Sequence, residues 1–126
     1  MEKATLFVCS LCRFSETENS RDGLSGGQHL IDRLEGELEA KNLSDAIHLQ
    51  PVRCMAACGR SCNTTLAAPG KLTFIFSNLS PTDSAAELSE FCQQYVARPD
   101  GKVPQVERAS SIRQATAFIL PPLPRN

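Results

Sequence analysis

The stretch VRCMAACGRSCNTTLAA, residues 52–68, determines how we interpret the rest of the chain. It ends in a short run that predicts a strand, and before that run it carries three cysteines at intervals of four residues, Cys54, Cys58 and Cys62. Two further cysteines, Cys9 and Cys12, stand at the end of the first apolar run, LFVCSLC. We interpret the two clusters as neighbouring loops that close over one metal centre.

A strand–helix–strand pattern precedes this stretch. Residues 5–8, TLFV, are apolar and β-branched, which predicts a buried first strand, and the polar, glycine-rich residues 14–27 predict a long loop. Ser25 and Gln28 resemble a capping box, and the apolar positions after them share one helical face: Leu30, Ile31, Leu34 and Leu38. Residues 46–52, AIHLQPV, then alternate as a second strand. This unit is long enough for a right-handed crossover between parallel strands.

Two more strands and a second helix are expected after the cysteine loop. Residues 63–68 and 72–76 predict an antiparallel hairpin, because Pro69-Gly70 between them is a turn signal. Ser80-Pro81 has the composition of a helix start, with Ser as N-cap and Pro at the first helical position. Cys92 falls on the apolar face of that helix, which predicts a buried and inert thiol.

These elements predict an α/β fold: a thioredoxin-like sandwich with about four strands in a mixed sheet, flanked by two main helices. The chain lacks Trp and has few aromatic residues, so we expect an aliphatic core. Residues 1–97 would form the domain. Residues 98–126 end in the proline-rich LPPLPRN and would be an irregular C-terminal extension that packs on the domain or trails from it.

The composition argues against several classes of function. The 126 residues suit one compact unit, and a net charge of -1 gives no electrostatic argument for nucleic acid. No apolar run approaches the roughly 20 residues that span a bilayer, and MEKATLFVC does not resemble a signal peptide. We therefore expect a cytoplasmic protein that binds neither nucleic acid nor membranes. In that reducing compartment six cysteines favour metal binding over disulfides.

The predicted topology brings the cysteine clusters together. Parallel strands joined by a crossover end at the same edge of a sheet, so Cys9 and Cys12 are expected near Cys54 and Cys58. Four thiolates suit zinc or an iron–sulfur cluster, and the spacing leaves both open. Small residues in the second loop, such as Gly59, favour a cluster because backbone N–H groups can approach its sulfides. The Cys9-x2-Cys12 spacing also fits a thiol–disulfide redox motif, which is the third alternative.

Residues 52–95, VRCMAACGRSCNTTLAAPGKLTFIFSNLSPTDSAAELSEFCQQY, resemble the C-terminal half of thioredoxin-like [2Fe-2S] ferredoxins. These are similar to the small iron–sulfur subunit of respiratory NADH dehydrogenases. Cys54 and Cys58 match the family's Cys-x3-Cys ligands, and LFVC places Cys9 at the family's first ligand. The whole pattern, with Cys62 and the tail, is still closer to a bacterial group of uncharacterised predicted metal-binding proteins with this fold.

The resemblance implies a [2Fe-2S] cluster with four ligands: Cys9, Cys12, Cys54 and Cys58. The family's second ligand stands further from the first, but residues 14–27 contain no cysteine, and Cys62 is an alternative ligand. The implied function is one-electron transfer to or from a larger redox enzyme, so the protein would be a carrier rather than an enzyme. A homodimer is also implied. A zinc-binding structural or metallochaperone module remains the alternative.

Overall fold

The apolar run near the N-terminus forms the strand β1, Ala4–Cys9, in which every second side chain is buried up to Val8. The computed structural model describes residues 4–10, 20–53 and 63–122. After β1 come the short hairpin β2 (Ser20–Arg21) and β3 (Leu24–Ser25), then α1 (Gly26–Ala40), β4 (Ile47–Val52), β5 (Thr64–Ala67), β6 (Thr73–Phe76), α2 (Ala85–Val96), a 3-10 turn (Gln105–Glu107), α3 (Ser110–Ala115) and β7 (Thr116–Leu120).

Five of these strands form one mixed sheet in the order β4-β1-β5-β6-β7. Strand β1 is parallel to β4, with Cys9 opposite Val52, and antiparallel to β5, with Val8 opposite Thr64. The helix α1 connects the parallel pair, as the strand–helix–strand pattern predicts. The predicted fold class, an α/β thioredoxin-like sandwich with a mixed sheet, is confirmed.

The core contains aromatic side chains as well as aliphatic ones, so the expectation of an aliphatic core is wrong. Four fully buried rings meet between β6 and α2: Phe74, Phe76, Phe91 and Tyr95. The ring of Phe91 packs edge-on against Phe74 at 4.8 Å and against Phe76 at 5.4 Å, measured between centroids. The chain has few aromatic residues, but most of them pack together at one place in the core.

Helix α2 begins at Ala85, five residues after the predicted N-cap Ser80. The hydroxyl of Ser80 instead accepts a hydrogen bond from the backbone N–H of Asp83 at 3.1 Å, and the hydroxyl of Ser84 accepts one from the N–H of Ser80 at 2.8 Å. These bonds hold a separate turn ahead of the helix. The sequence signal of a capped start is present, but it caps a turn rather than α2.

The C-terminal region, expected to be irregular, contributes α3 and the fifth strand. Strand β7 pairs antiparallel with β6 and forms an edge of the sheet, with Ile75 opposite Phe118. The backbone N–H of Ser77 also donates to the carbonyl of Ala115 at 2.9 Å, which fixes the junction of α3 and β7 against the end of β6. Within the described ranges, no helix combines the length and the apolar character that crossing a bilayer requires.

Candidate functional site

Cys9 is the last residue of β1, and its side chain is only 5% exposed. Its sulfur lies 3.8 Å from the backbone carbonyl oxygen of Arg53, just past the end of β4. On the other side, the backbone N–H of Cys9 donates to the carbonyl of Asn63 at 3.0 Å, just before β5. The next N–H, that of Ser10, donates to the carbonyl of Val52 at 2.7 Å. Cys9 is therefore held between the end of β4 and the beginning of β5.

The segment 54–62 joins these same two strands, so the chain leaves β4 and enters β5 on opposite sides of Cys9. The other proposed ligands lie outside the described residues: Cys12, Cys54, Cys58 and Cys62. In the described part of the chain, no three Cys, His, Asp or Glu side chains form a group that could hold a metal ion. Of the predicted site, the structure thus shows the position of Cys9 and of the residues that flank the second cysteine loop.

The first turn of α1 packs against this edge of the sheet. Ser25 caps the helix, since its hydroxyl accepts a hydrogen bond from the N–H of Gln28 at 3.1 Å and its own N–H donates to the Gln28 side chain at 2.9 Å. The predicted capping box is confirmed. The Ser25 hydroxyl also donates to the backbone carbonyl of Ser10. The cap therefore ties the start of α1 to the residue that follows Cys9.

Gly27 makes the closest approach between α1 and the end of β1. A Cβ atom placed there would overlap the carbonyl oxygen of Cys9 and would lie 2.9 Å from the Cα of Ser10. Only glycine leaves room for this backbone contact. The sequence interpretation missed Gly27 because it assigned residues 14–27 to a loop, although Gly26-Gly27 directly after an N-cap is a visible signal of close packing.

A buried hydroxyl lies one strand away from Cys9. Thr64 is the first residue of β5 and is fully buried, and its side-chain oxygen has no hydrogen-bond partner among the described residues. Buried polar groups are rarely left without a partner. Thr64 lies opposite Val8 in the register, so its hydroxyl is on the Val8 face of the sheet, whereas Cys9 is the next residue of β1 and belongs to the other face.

Cys92 plays a different role from Cys9. It lies on the inward face of α2, is fully buried, and burial raises the pKa of its thiol from 9.0 to about 12. A thiol with this pKa stays protonated at neutral pH, and only the thiolate is a good ligand or nucleophile. The prediction that Cys92 is a buried core residue is confirmed.

Two solved structures of a thioredoxin-like [2Fe-2S] ferredoxin from Aquifex aeolicus are similar to this chain. One is 13% identical with a TM-score of 0.60, and covers 94% of each chain. The other, a wild-type crystal structure at 1.5 Å resolution, is 15% identical with a TM-score of 0.59, and covers 94% of this chain and 99% of its own. At this identity the similarity shows a shared fold. It confirms the fold relationship to the thioredoxin-like ferredoxins that the sequence pattern indicated.

Among curated proteins, no sequence matches this chain. The profile of one protein family, described as "Protein of unknown function (DUF1636)", matches residues 6–122. This match begins within β1, ends after β7 and includes all six cysteines. The chain belongs to the DUF1636 family.

Proposed function

We propose that this protein is a small iron–sulfur protein that carries one electron to or from a larger redox enzyme. It would bind a [2Fe-2S] cluster through Cys9, Cys12, Cys54 and Cys58. The observation that supports this most strongly is the position of Cys9, whose backbone and sulfur contact both residues that flank the second cysteine loop, Arg53 and Asn63. The shared fold with thioredoxin-like [2Fe-2S] ferredoxins adds support.

Chain connectivity allows the four sulfurs to reach one another. Consecutive Cα atoms are about 3.8 Å apart, so Cys54 follows directly from the residue whose carbonyl contacts the Cys9 sulfur. Even a fully extended chain keeps the Cα of Cys12 within about 11 Å of Cys9 and that of Cys58 within about 14 Å of Cys54. Any fold of these short segments back over the sheet edge brings their thiolates closer.

The chemistry of the described residues suits a sulfur-rich group. Cys9 supplies a soft ligand in a nearly buried position. The cluster would supply the one-electron chemistry, and the protein would bind it, exclude water and donate hydrogen bonds to it. Because burial and hydrogen bonding tune the reduction potential, the surroundings of Cys9 would determine how easily the electron is accepted.

Thiol–disulfide exchange fits the structure less well. In a thioredoxin motif the two cysteines open a helix, whereas the first helix in the described part of the chain, α1, begins at Gly26. A reactive thiol is also expected to be partly exposed, and the Cys9 side chain is 5% exposed. Zinc remains an outcome of the test below, and the homodimer and the redox partner stay predictions.

Anaerobic purification followed by iron, zinc and acid-labile sulfide analysis tests the proposal. We expect about two irons and two sulfides per chain, as a [2Fe-2S] cluster requires, with an EPR signal on reduction. Single serine variants of Cys9, Cys12, Cys54 and Cys58 should each lose the cluster or change that signal. Stoichiometric zinc without iron or sulfide would reject the proposal in favour of a zinc protein.

The chain provides matched controls for these variants. Cys62→Ser should retain the cluster if Cys12 is the second ligand, and the reverse pattern would assign that position to Cys62. Cys92→Ala should retain the cluster in either case, because its protonated thiol belongs to the core. A Cys9→Ser variant with the iron content and the EPR spectrum of the unmodified protein would also reject the proposed ligand set.

A further inference from the structure

We propose that the first turn of α1 supports the Cys9 ligand. Gly27 is the positioning residue, and Ser25 is the tether, that is, the side chain that connects the helix to the residue after Cys9. This inference rests on the proposed function in one respect, namely that Cys9 binds the cluster. It goes further because it assigns a role in setting the reduction potential and the lifetime of the cluster to residues that are not ligands.

The packing of α1 on β1 leaves no space for a side chain at position 27. The backbone of α1 at Gly27 lies so close to β1 that any side chain there would overlap the carbonyl of Cys9. Real Cβ atoms do not approach other atoms so closely, so a larger residue must move either the helix or the Cys9–Ser10 backbone. Both partners are backbone, and neither can rotate away as a flexible side chain would. Glycine at position 27 thus fixes the distance between the helix and the ligand.

Hydrogen bonds of the Ser25 side chain connect the start of α1 to the end of β1. The Ser25 hydroxyl donates to the carbonyl of Ser10 while it accepts from the N–H of Gln28. One side chain therefore connects the helix cap to the residue next to Cys9. The carbonyl of Arg53 and the N–H groups of Cys9 and Ser10 complete the set of contacts around this end of β1. Such outer contacts orient a metal ligand before the metal binds.

The start of α1 carries the positive end of the helix dipole. The first N–H groups of an α-helix have no acceptor within the helix, and together they carry about half a positive charge. Gly26 and Gly27 occupy this first turn; both are buried, and Gly27 lies against the Cys9–Ser10 backbone. The positive end of α1 therefore lies beside the end of β1 that carries Cys9. It stabilises the reduced, more negative state of a bound cluster, which raises the reduction potential.

Gly27→Ala tests this inference, and Gly36→Ala is its matched control. Gly36 lies in the same helix, and a Cβ atom there would meet nothing within 4 Å. We expect Gly27→Ala to shift the reduction potential to more negative values and to shorten the lifetime of the visible absorbance under an iron chelator by about 10- to 100-fold. Gly36→Ala should leave the potential, the EPR spectrum and the lifetime unchanged.

Ser25 provides a second test that is independent of steric overlap. Ser25→Ala removes the tether and should shift the potential in the same direction, whereas Ser25→Thr, which keeps the hydroxyl, should restore it. Urea unfolding of each variant separates this effect from a general loss of stability, because a merely structural residue would lower the unfolding midpoint without moving the potential. A Gly27→Ala variant that folds with the potential and lifetime of the Gly36→Ala control would overturn the inference.

The unmodified protein distinguishes failure of this inference from failure of the proposed function. If it contains iron and sulfide but Gly27→Ala and Ser25→Ala match the control, the electron carrier stands and the support role of α1 is rejected. If it contains zinc, the same variants are compared by competition with a zinc chelator: a weaker affinity in both Gly27→Ala and Ser25→Ala than in Gly36→Ala would uphold the support of the ligand and overturn its role in the reduction potential. A protein that binds neither metal would overturn both.

Discussion

Alkaline pH should destabilise the protein through the buried thiol of Cys92. Burial raises the pKa of this thiol to about 12 in the folded protein, from 9.0 for a thiol exposed to water. Between these two values the unfolded chain has released the proton and the folded chain has kept it. The contribution of Cys92 to the free energy of unfolding is therefore constant below pH 9 and falls as the pH rises toward 12.

The magnitude follows from the size of the pKa difference. Each pH unit between the two pKa values costs about 1.4 kcal/mol per group, so Cys92 lowers the free energy of unfolding by roughly 1 kcal/mol at pH 10 and roughly 3 kcal/mol at pH 11. Urea unfolding under reducing conditions, followed by circular dichroism at several pH values, measures this loss. Cys92→Ala removes the titrating group, so its stability should fall less steeply over the same interval.

The comparison of slopes isolates Cys92 from the other groups that titrate at high pH. The remaining cysteines and the lysines are present in both proteins, and their contributions cancel in the difference. Burial, and to a smaller extent the charge of Cys92, raises the pKa of Tyr95 to about 12, so removal of Cys92 changes the titration of Tyr95 only above the interval from pH 9 to pH 11. Any cavity left by alanine lowers the stability by a similar amount at every pH and does not change the slope. A Cys92→Ala protein that loses stability between pH 9 and pH 11 as steeply as the unmodified protein would refute the reasoning.

Two further predictions concern the contacts of Tyr95. Tyr95→Phe removes a hydrogen bond of 2.6 Å to the carbonyl of Leu72 and should lower the free energy of unfolding by about 1–3 kcal/mol, measured by urea unfolding; an unchanged midpoint would contradict this. Gly101→Ala should cost about 1–3 kcal/mol, because its φ of 70° is unfavourable for alanine and the new Cβ atom would lie 2.6 Å from the Tyr95 ring. Gly23→Ala, with a φ of 78° but open space, is its control and should cost less.

The part of the fold that follows from local pattern was predictable. The alternation in β1, the capping box at Ser25 and the helical face of α1 are each set by residues close in sequence. The parallel pairing of β1 with β4 then follows from the length and handedness of the crossover. The position of Cys9 beside the end of β4 is a consequence of that pairing.

The missed elements depend on contacts between distant residues. Helix α3 has only six residues, too few to show a helical period, and its placement depends on the hydrogen bond from Ser77 to Ala115. Strand β7 exists because β6 offers it a free edge. Gly27 could not be recognised as a contact of Cys9 before the packing of α1 on the sheet was known. In each case the deciding interaction lies outside the sequence window that a pattern can cover.

The order of the strands has an evolutionary consequence for the second cysteine loop, residues 54–62. Its two anchors, β4 and β5, both hydrogen-bond to β1, so they are only about two strand spacings, or roughly 9.5 Å, apart. Insertions between such anchors cost little free energy, since doubling the length of a loop costs only about 0.6 kcal/mol. The length and the amino-acid composition of this loop can therefore differ between relatives while the strands of the sheet keep their register. The sheet and the sequence of this loop can diversify separately.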